Sequence, residues 1–362
     1  IGSELCRQVI QQRPRIVLLL EISEYSLYSI HEDLVDLLFD LNENSNIELI
    51  PILSSIQDKK QMLKIFNVWK PNTVYHSAAY KHVPLVENNL IEGLKNNVFG
   101  TLNIAKIAIK KNVSDFVMIS TDKAVRPTNV MGASKRLAEM CLQALFKEQQ
   151  DNKKSKHLTK LSMVRFGNVL DSSGSVIPRF RKQIRKGEPI TLTHLDITRY
   201  FMTIKEAAQL VIQAGAMGRG GDVFVLDMGK PVRILDLAKQ VIKLSGLSIR
   251  DKLNPDGDIE IIVTGLRPGE KLYEELLLGQ NPKKTKHSKI LKTKEPFVLW
   301  TVFEKELMKL NESLNNNNVG NIIFIIKKLV DGYKPSEDIK ALIKKQKKNI
   351  NIKMPSSHKI GV

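Results

Sequence analysis

The stretch "DFVMISTDKAVRPTNVMGASKR", Asp115 to Arg136, decides the fold. It starts as a short apolar run of β-forming residues, breaks into a polar loop, and resumes as a helical pattern through residue 149. The same strand-then-helix unit recurs along the first two-thirds of the chain. "RIVLLLE" (15–21), "IELIPIL" (47–53), "NTVYHSA" (72–78), "DFVMIST" (115–121) and "LSMVRFG" (161–167) read as strands. Residues 25–40, 58–69, 91–111 and 131–149 read as helices between and after them. Near-continuous apolar strands alternating with amphipathic helices imply a parallel sheet covered on both faces, a doubly wound α/β fold. Beyond residue 168 the alternation loosens into "GEPITLT", "GDVFVLDMG" and "DIEIIVTG", with helical patterns over 204–214 and 233–245. A smaller C-terminal lobe is therefore expected against the carboxyl ends of the strands, the edge where open α/β sheets bind ligands.

The composition is that of an ordinary soluble protein: 362 residues, 42% hydrophobic and 26% charged, with room for two or three domains. Its longest apolar runs fall short of a bilayer span, no signal peptide is visible, and Cys6 and Cys141 offer no disulfide framework. A reducing cytoplasm is the expected location. The 56 Lys+Arg against 38 Asp+Glu leave a net charge of +18. Residues 281–362 carry +11 of it, as 18 Lys against 7 acidic residues. No aromatic residues interleave the lysines of this segment's two basic runs, "KKTKHSK" and "IKKQKKNINIK", so nucleic acid is not expected as a partner, and a solvated or membrane-surface-facing basic tail is. His76, His82 and His194 show no ligand spacing, so no metal is expected.

The chain opens "IGSELCRQV", without an initiator Met and already in helical pattern. It reads as a fragment whose first strand and Gly-rich loop lie upstream. In a dinucleotide-binding fold that loop and the following helix N-terminus receive the pyrophosphate, and only Ile1-Gly2-Ser3 remains to represent them. Glu21 ends the next strand roughly 20 residues later, where such folds place an acid for the adenosine ribose. A carboxylate there repels a 2′-phosphate and favours NAD over NADP. A surface Glu opening a helix is the alternative, and suits Glu24 better. Asp58 either contacts adenine or caps the helix that starts there.

"VYHSAAYKHVPLVE" and "NNVFGTLNIAK", followed by "STDKAVRPTNVMGASKR", "SMVRFGNVL", "SGSVIP", "DITRYFMT" and "GLRPGEKLYEELL", resemble in order and spacing the extended short-chain dehydrogenases that act on nucleotide sugars. The closer resemblance is to the UDP-N-acetylglucosamine 4,6-dehydratases of the polysaccharide biosynthesis protein family, over residues 1 to about 280. In the superfamily pattern Y-x-x-x-K, Lys135 is the lysine but Met131 stands in the tyrosine's place. Within the family that variant is typical of large members with N-terminal membrane helices. The resemblance thus implies membrane association through an upstream segment, with the enzyme facing the cytoplasm and forming a homo-oligomer.

The implied reaction is an internal redox cycle. Hydride leaves sugar C4 for NAD, the C5 proton is removed, the 6-hydroxyl departs as water, and the hydride returns to C6. By resemblance Asp122 is the acid toward the 6-hydroxyl, Lys123 the base at C5, and Thr121 a hydrogen-bond partner of the 4-hydroxyl. Lys135 binds the nicotinamide ribose; Gly2, Glu21, Asp58, Ala78 and Asn97 complete the cofactor side, with Asn97 ordering the backbone. Lys81, Asn168, Arg199, Arg267 and Glu270 are the substrate residues, the arginines suited to fork onto diphosphate oxygens. Residues 1–170, with contributions from about 200–230, would bind NAD; 171–295 would bind the UDP-sugar; 296–362 form a Lys/Asn-rich extension. Ser54 and Asp171 replace expected glycines and Leu195 an expected proline, and the Asp171 charge is expected to weaken diphosphate binding. The alternatives are a UDP-sugar 4-epimerase, which keeps the tyrosine, and a non-catalytic UDP-sugar-binding remnant.

Overall fold

The computed structural model describes residues 1–40, 46–152, 157–275 and 282–352, with side chains described to residue 346. β1 (Ile16–Glu21) and β2 (Glu48–Leu53) pair in parallel as a two-stranded sheet. β3 (Thr73–His76), β4 (Asp115–Ile119) and β5 (Lys160–Arg165) pair in parallel, and β10 (Asp222–Leu226) extends them beside β5. The chain is thus doubly wound α/β, as its alternating pattern requires. No ladder joins β1 to β3 among the described residues. Two antiparallel strands from residues 283–293, β14 (Lys283–Lys284) and β15 (Ile290–Thr293), finish the six-stranded sheet beyond β10. The sequence reading had left them in the small lobe.

Strand alternation explains the two layers. Phe116 and Met118 of β4 face one core, while Val117 between them faces the other. The second face is covered by α1 (Gly2–Ile10) and α9 (Ile204–Met217); α2 (Glu24–Asp40) packs with α1 against β1. The first face is covered by α3 (Lys59–Trp69), the short α4 (Val83–Asn88) and α5 (Leu90–Leu94), α6 (Thr101–Lys110) and α7 (Val130–Asp151). The helix expected over 91–111 is not continuous. A π-helical turn, Lys95–Gly100, separates α5 from α6 and turns Asn97 inward.

The small lobe holds β7 (Ile190–Leu192), β12 (Ile249–Arg250) and β13 (Ile259–Val263) in parallel, with α8 (Val176–Arg185) and α10 (Ile234–Leu244) packed on them. Two-residue ladders join it to the larger body: β6 (Asn168–Val169) with β9 (Phe201–Met202), and β8 (Thr198–Arg199) with β11 (Val232–Arg233).

The expected basic tail is, over its described part, three helices: α11 (Trp300–Asn315), α12 (Val319–Leu329) and α13 (Glu337–Ile352). Trp300, Phe303, Leu307, Leu310 and Leu314 join the core that contains α7, with Ile322, Ile326 and Tyr333 behind them. The lysines occupy the outer faces. Residues 353–362, including the end of "IKKQKKNINIK", lie outside the described residues.

Beneath these layers lies a buried ion network. Arg165 of β5, fully buried, donates to both Glu139 oxygens at 2.7 and 2.6 Å and to Glu295 at 2.8 Å. Arg136 also donates to Glu139, at 3.0 Å, and to the carbonyl of Pro296. Removing one partner of such a pair leaves a buried charge unanswered, at a cost of about 3–5 kcal/mol. Arg165→Leu is expected to lower unfolding free energy by about that much, read from the urea midpoint, whereas exposed Lys147→Ala should change it little.

Candidate active site

The loop after β4 holds Thr121, Asp122 and Lys123, and its path is set at several points. Ser120 N and Asp122 N donate to the carbonyls of Val164 and Phe166, so the loop leaves the sheet still tied to β5. Thr121 begins a 3-10 turn, Asp122–Ala124. Asn129 caps α7 by accepting from Gly132 N at 2.8 Å. A Cβ at Gly132 would run into the carbonyl of Lys123, so only glycine lets α7 start this close to the turn.

Within the turn, Asp122 is 1% exposed. Its Oδ1 accepts from Thr121 Oγ1 at 2.8 Å and from Lys123 Nζ at 3.0 Å, while its Oδ2 has no hydrogen-bond partner among the described residues. Lys123 Nζ also reaches Asn168 Oδ1 at 3.3 Å and Glu274 Oε1 at 3.4 Å. Burial works against the Lys123 ammonium, but the Asp122 and Glu274 carboxylates outweigh it and hold its pKa above the ordinary lysine value. Lys123 is therefore charged at neutral pH.

One helical turn apart on α7 come Met131, Lys135 and Glu139. Met131 is 2% exposed and belongs to the apolar core. Lys135 Nζ donates to the carbonyl of Ile119 at 2.5 Å, and burial brings its pKa down to about 8 against the opposing pull of Glu139. Glu139 accepts from Ser120 Oγ at 2.7 Å, which links the Arg165 network to the residue before Thr121. Asn97 exchanges hydrogen bonds with the backbone of Tyr80, at 2.8 and 3.0 Å, and donates to Ser134 Oγ at 3.0 Å. It ties the loop after β3 to α7. His76 beside it is buried and accepts or donates to Thr101 at 2.7 Å; burial, aided by Lys135, lowers its pKa to about 3 and keeps it neutral.

The far side of α7 is held by the C-terminal helices' own approach. Glu87 accepts from Val130 N at 2.5 Å and from Ser336 Oγ at 2.6 Å, and Lys334 N donates to Pro127 O at 3.1 Å.

On the other side of Asn168 opens a cleft of about 380 Å³ lined by residues of both lobes, among them Arg179, Arg267 and Glu270. The N-terminus of α8 faces it through Gly174 and Ser175, and Ser175 Oγ is buried with no hydrogen-bond partner among the described residues. Burial, then repulsion from Arg267, lowers the pKa of Arg179 against the smaller opposing pull of Glu270, and Arg179 also donates to Thr191 Oγ1 at 2.6 Å. A helix N-terminus with two arginines is an anion site by composition. Glu270 accepts from Thr193 Oγ1 at 3.2 Å and from Arg267 N at 3.1 Å.

The remaining sequence candidates divide. Arg199 lines the cleft, but its guanidinium is committed to the carbonyls of Thr198, Lys271 and Leu272 and to Glu270, so it holds the 270–272 backbone in place of standing free for a diphosphate. Glu21 turns back on its own chain, accepting from Ile22 N and Ser23 N, and Asp58 caps α3 by accepting from Gln61 N. Both carboxylates are engaged locally at the positions where adenosine contacts were expected. Gly2 starts α1 beside Ser77, and Ala78, half-buried, follows β3 at the same sheet edge; Lys81 is exposed. The Asp171 charge is answered by Arg181 at 3.0 Å, and that pairing takes most of the force from its expected effect on the cleft. Sequence reading missed Arg179 and Glu274. Arg179 follows "SGSVIP" directly, one turn into α8, and Glu274 lies inside "GLRPGEKLYEELL".

The capsular polysaccharide biosynthesis protein CapD of Staphylococcus aureus is 53% identical over 277 residues, 76% of this chain and 43% of CapD, so this chain spans less than half of that relative. The X-ray structure of Pen from Bacillus thuringiensis superposes with a TM-score of 0.65 at 33% identity, covering 76% of this chain and 82% of that one. DesIV from Streptomyces venezuelae, a dTDP-glucose 4,6-dehydratase solved with NAD and TYD bound, shares the fold at a TM-score of 0.61 and 16% identity, over 88% and 94% of the two chains. Residues 1–295 match the polysaccharide biosynthesis protein family throughout, and the chain belongs to that family.

Proposed function

We propose that this chain is the catalytic part of an NAD-dependent UDP-N-acetylglucosamine 4,6-dehydratase. The observation that carries the reading is the pair of buried Asp122 with partly exposed Lys123, 3.0 Å apart and joined through Asn168 to a cleft that gathers Arg179, Arg267 and the α8 N-terminus. A dehydration across C5 and C6 needs two proton-transfer groups beside a sugar and an anion site for its diphosphate. The cleft volume lies within the range of about 300–1,000 Å³ common to small-ligand sites.

In this reading Arg179, Arg267 and the α8 amides bind the diphosphate, Glu270 accepts from the uridine ribose, and Arg199 holds that segment in shape. As C4 is oxidised the 4-hydroxyl proton passes through the Thr121 hydroxyl, already donating to Asp122, to the Asp122 carboxylate; Asp122 gives that proton to the departing 6-hydroxyl, and Lys123, once neutral, takes the C5 proton and returns it to C5 when hydride reaches C6. NAD, when bound, supplies the hydride acceptor and donor. The residues present fit it: α1 begins at the carboxyl edge of the sheet with Gly2 packed so tightly on Ser77 that a Cβ would crowd it, and Lys135 and Asn97 lie beside the same edge. Lys135 would hold the nicotinamide ribose. Met131 fills the tyrosine's place within apolar surroundings and transfers no proton, which speaks against the 4-epimerase reading.

Incubation of the protein with NAD and UDP-N-acetylglucosamine, followed by mass spectrometry, should show a product lighter by one water. An epimeric hexosamine without water loss would overturn the dehydratase reading, and UDP binding without turnover would mark a binding protein. Asp122→Asn and Lys123→Ala are each expected to abolish dehydration, by at least about 100-fold for loss of an acid–base group, whereas Met131→Leu should be far milder. Because Lys135 loses its charge as pH rises through about 8, NAD affinity measured by calorimetry should weaken between pH 7 and 9, and should not in Lys135→Arg.

A further inference from the structure

Glu274 lies four residues past Glu270, in the segment that brings Arg267 to the cleft, yet its side chain is 3% exposed and does not line that cleft. Its Oε1 sits 3.4 Å from Lys123 Nζ and 3.8 Å from Arg199 Nε, and its Oε2 has no hydrogen-bond partner among the described residues. A buried carboxylate is costly unless its charge is answered. Here the answering charge is the lysine to which the proposed function assigns the C5 proton.

We infer that Glu274 is a positioning residue for Lys123, pinning its ammonium between the 267–275 segment and Asp122 until that segment moves. The inference rests on the proposed function for its purpose, though not for its geometry. The charged groups facing Lys123 are Asp122 and Glu274, which favour the ammonium, and Arg199, which opposes it; Asn168 adds a neutral amide. A base must be neutral to accept a proton, so the resting arrangement holds Lys123 back. The segment that carries Glu274 also carries Arg267 and Glu270, so a shift of that segment on engaging a nucleotide would draw Glu274 away and free the amine. By linkage, whatever nucleotide binding takes from the Lys123–Glu274 pair, the pair takes from nucleotide binding.

The test is the pH dependence of Lys123 acylation by a small anhydride, read on its peptide by mass spectrometry in the wild type, Glu274→Gln and Glu274→Asp, with and without UDP. Loss of the Glu274 charge should lower the titration midpoint by a unit or more, equal to about tenfold faster labelling at a fixed pH below it. Glu274→Asp, its charge retracted by one methylene, should fall between the two and serves alone if the glutamine variant does not fold. UDP should lower the wild-type midpoint and leave that of Glu274→Gln nearly unmoved; shielding alters the rate but not the midpoint. Equal midpoints in folded wild type and variants would overturn the inference, as would a UDP response undiminished in Glu274→Gln. The labelling needs no turnover, so a protein that titrates as expected but dehydrates nothing refutes the enzymatic reading alone. One that dehydrates with unmoved midpoints refutes this inference alone.

Discussion

A single buried guanidinium organises the site. Arg165 ends β5 with no exposure to water, and its charge is divided between Glu139 on α7 and Glu295 just past β15. Three parts of the chain distant in sequence therefore meet at one point, and none of them can shift without stranding a charge in a medium that solvates it poorly. Burial pushes Glu139 toward the neutral acid, but Arg165 and then Arg136 outweigh it and hold its pKa near 2, so the carboxylate is fixed across the physiological range. The remaining lone pairs of Glu139 receive Ser120, the residue that precedes the Thr-Asp-Lys turn. Structural and functional parts of the molecule are joined at that hydrogen bond.

From there the spacing of α7 does the rest. Residues four apart lie on one helix face, so Met131, Lys135 and Glu139 form a stripe against the ends of β4 and β5. The lowest member locks onto the ion network, the middle one reaches the Ile119 carbonyl, and the uppermost is enclosed in apolar contacts. The turn of Asp122 and Lys123 is held against this stripe by the close pass at Gly132, while Glu87 and Ser336 brace the helix start from outside. The C-terminal helices, beyond the region the family shares, thus take part in fixing the loop that carries the proposed chemistry.

Much of this was legible in the residues because the relevant information is local. Strands announce themselves by apolar runs, and Thr121, Asp122, Lys123 and Lys135 fall on one strand–loop–helix unit whose internal spacing is set by geometry. What escaped depends on long-range packing. The lysines and asparagines of residues 296–346 suggested a solvated tail, but Phe303, Leu307, Leu310 and Leu314 recur at helical spacing and bury against α7. Glu21 and Asp58 carry the right charge at the right place in the order of the chain, yet each satisfies backbone N–H groups of its own turn, a use that sequence position does not distinguish from ligand binding. Arg199 shows the same ambiguity in reverse: its fork suits a diphosphate and meets peptide carbonyls. Partners of this kind come from segments some 70 residues away, and no local pattern encodes them.

The thioether at residue 131 follows from this packing. Met131 is 2% exposed within an apolar core, and a phenol buried there without a partner for its hydroxyl would cost about 1–3 kcal/mol. A tyrosine is worth that cost only where its proton is used. Nine residues earlier Asp122 presents a buried carboxylate with one oxygen unengaged among the described residues, backed by an ammonium at 3.0 Å and a second carboxylate at 3.4 Å from that ammonium. Met131 itself does what methionine does well, filling an irregular apolar space beside a lysine that reaches the sheet.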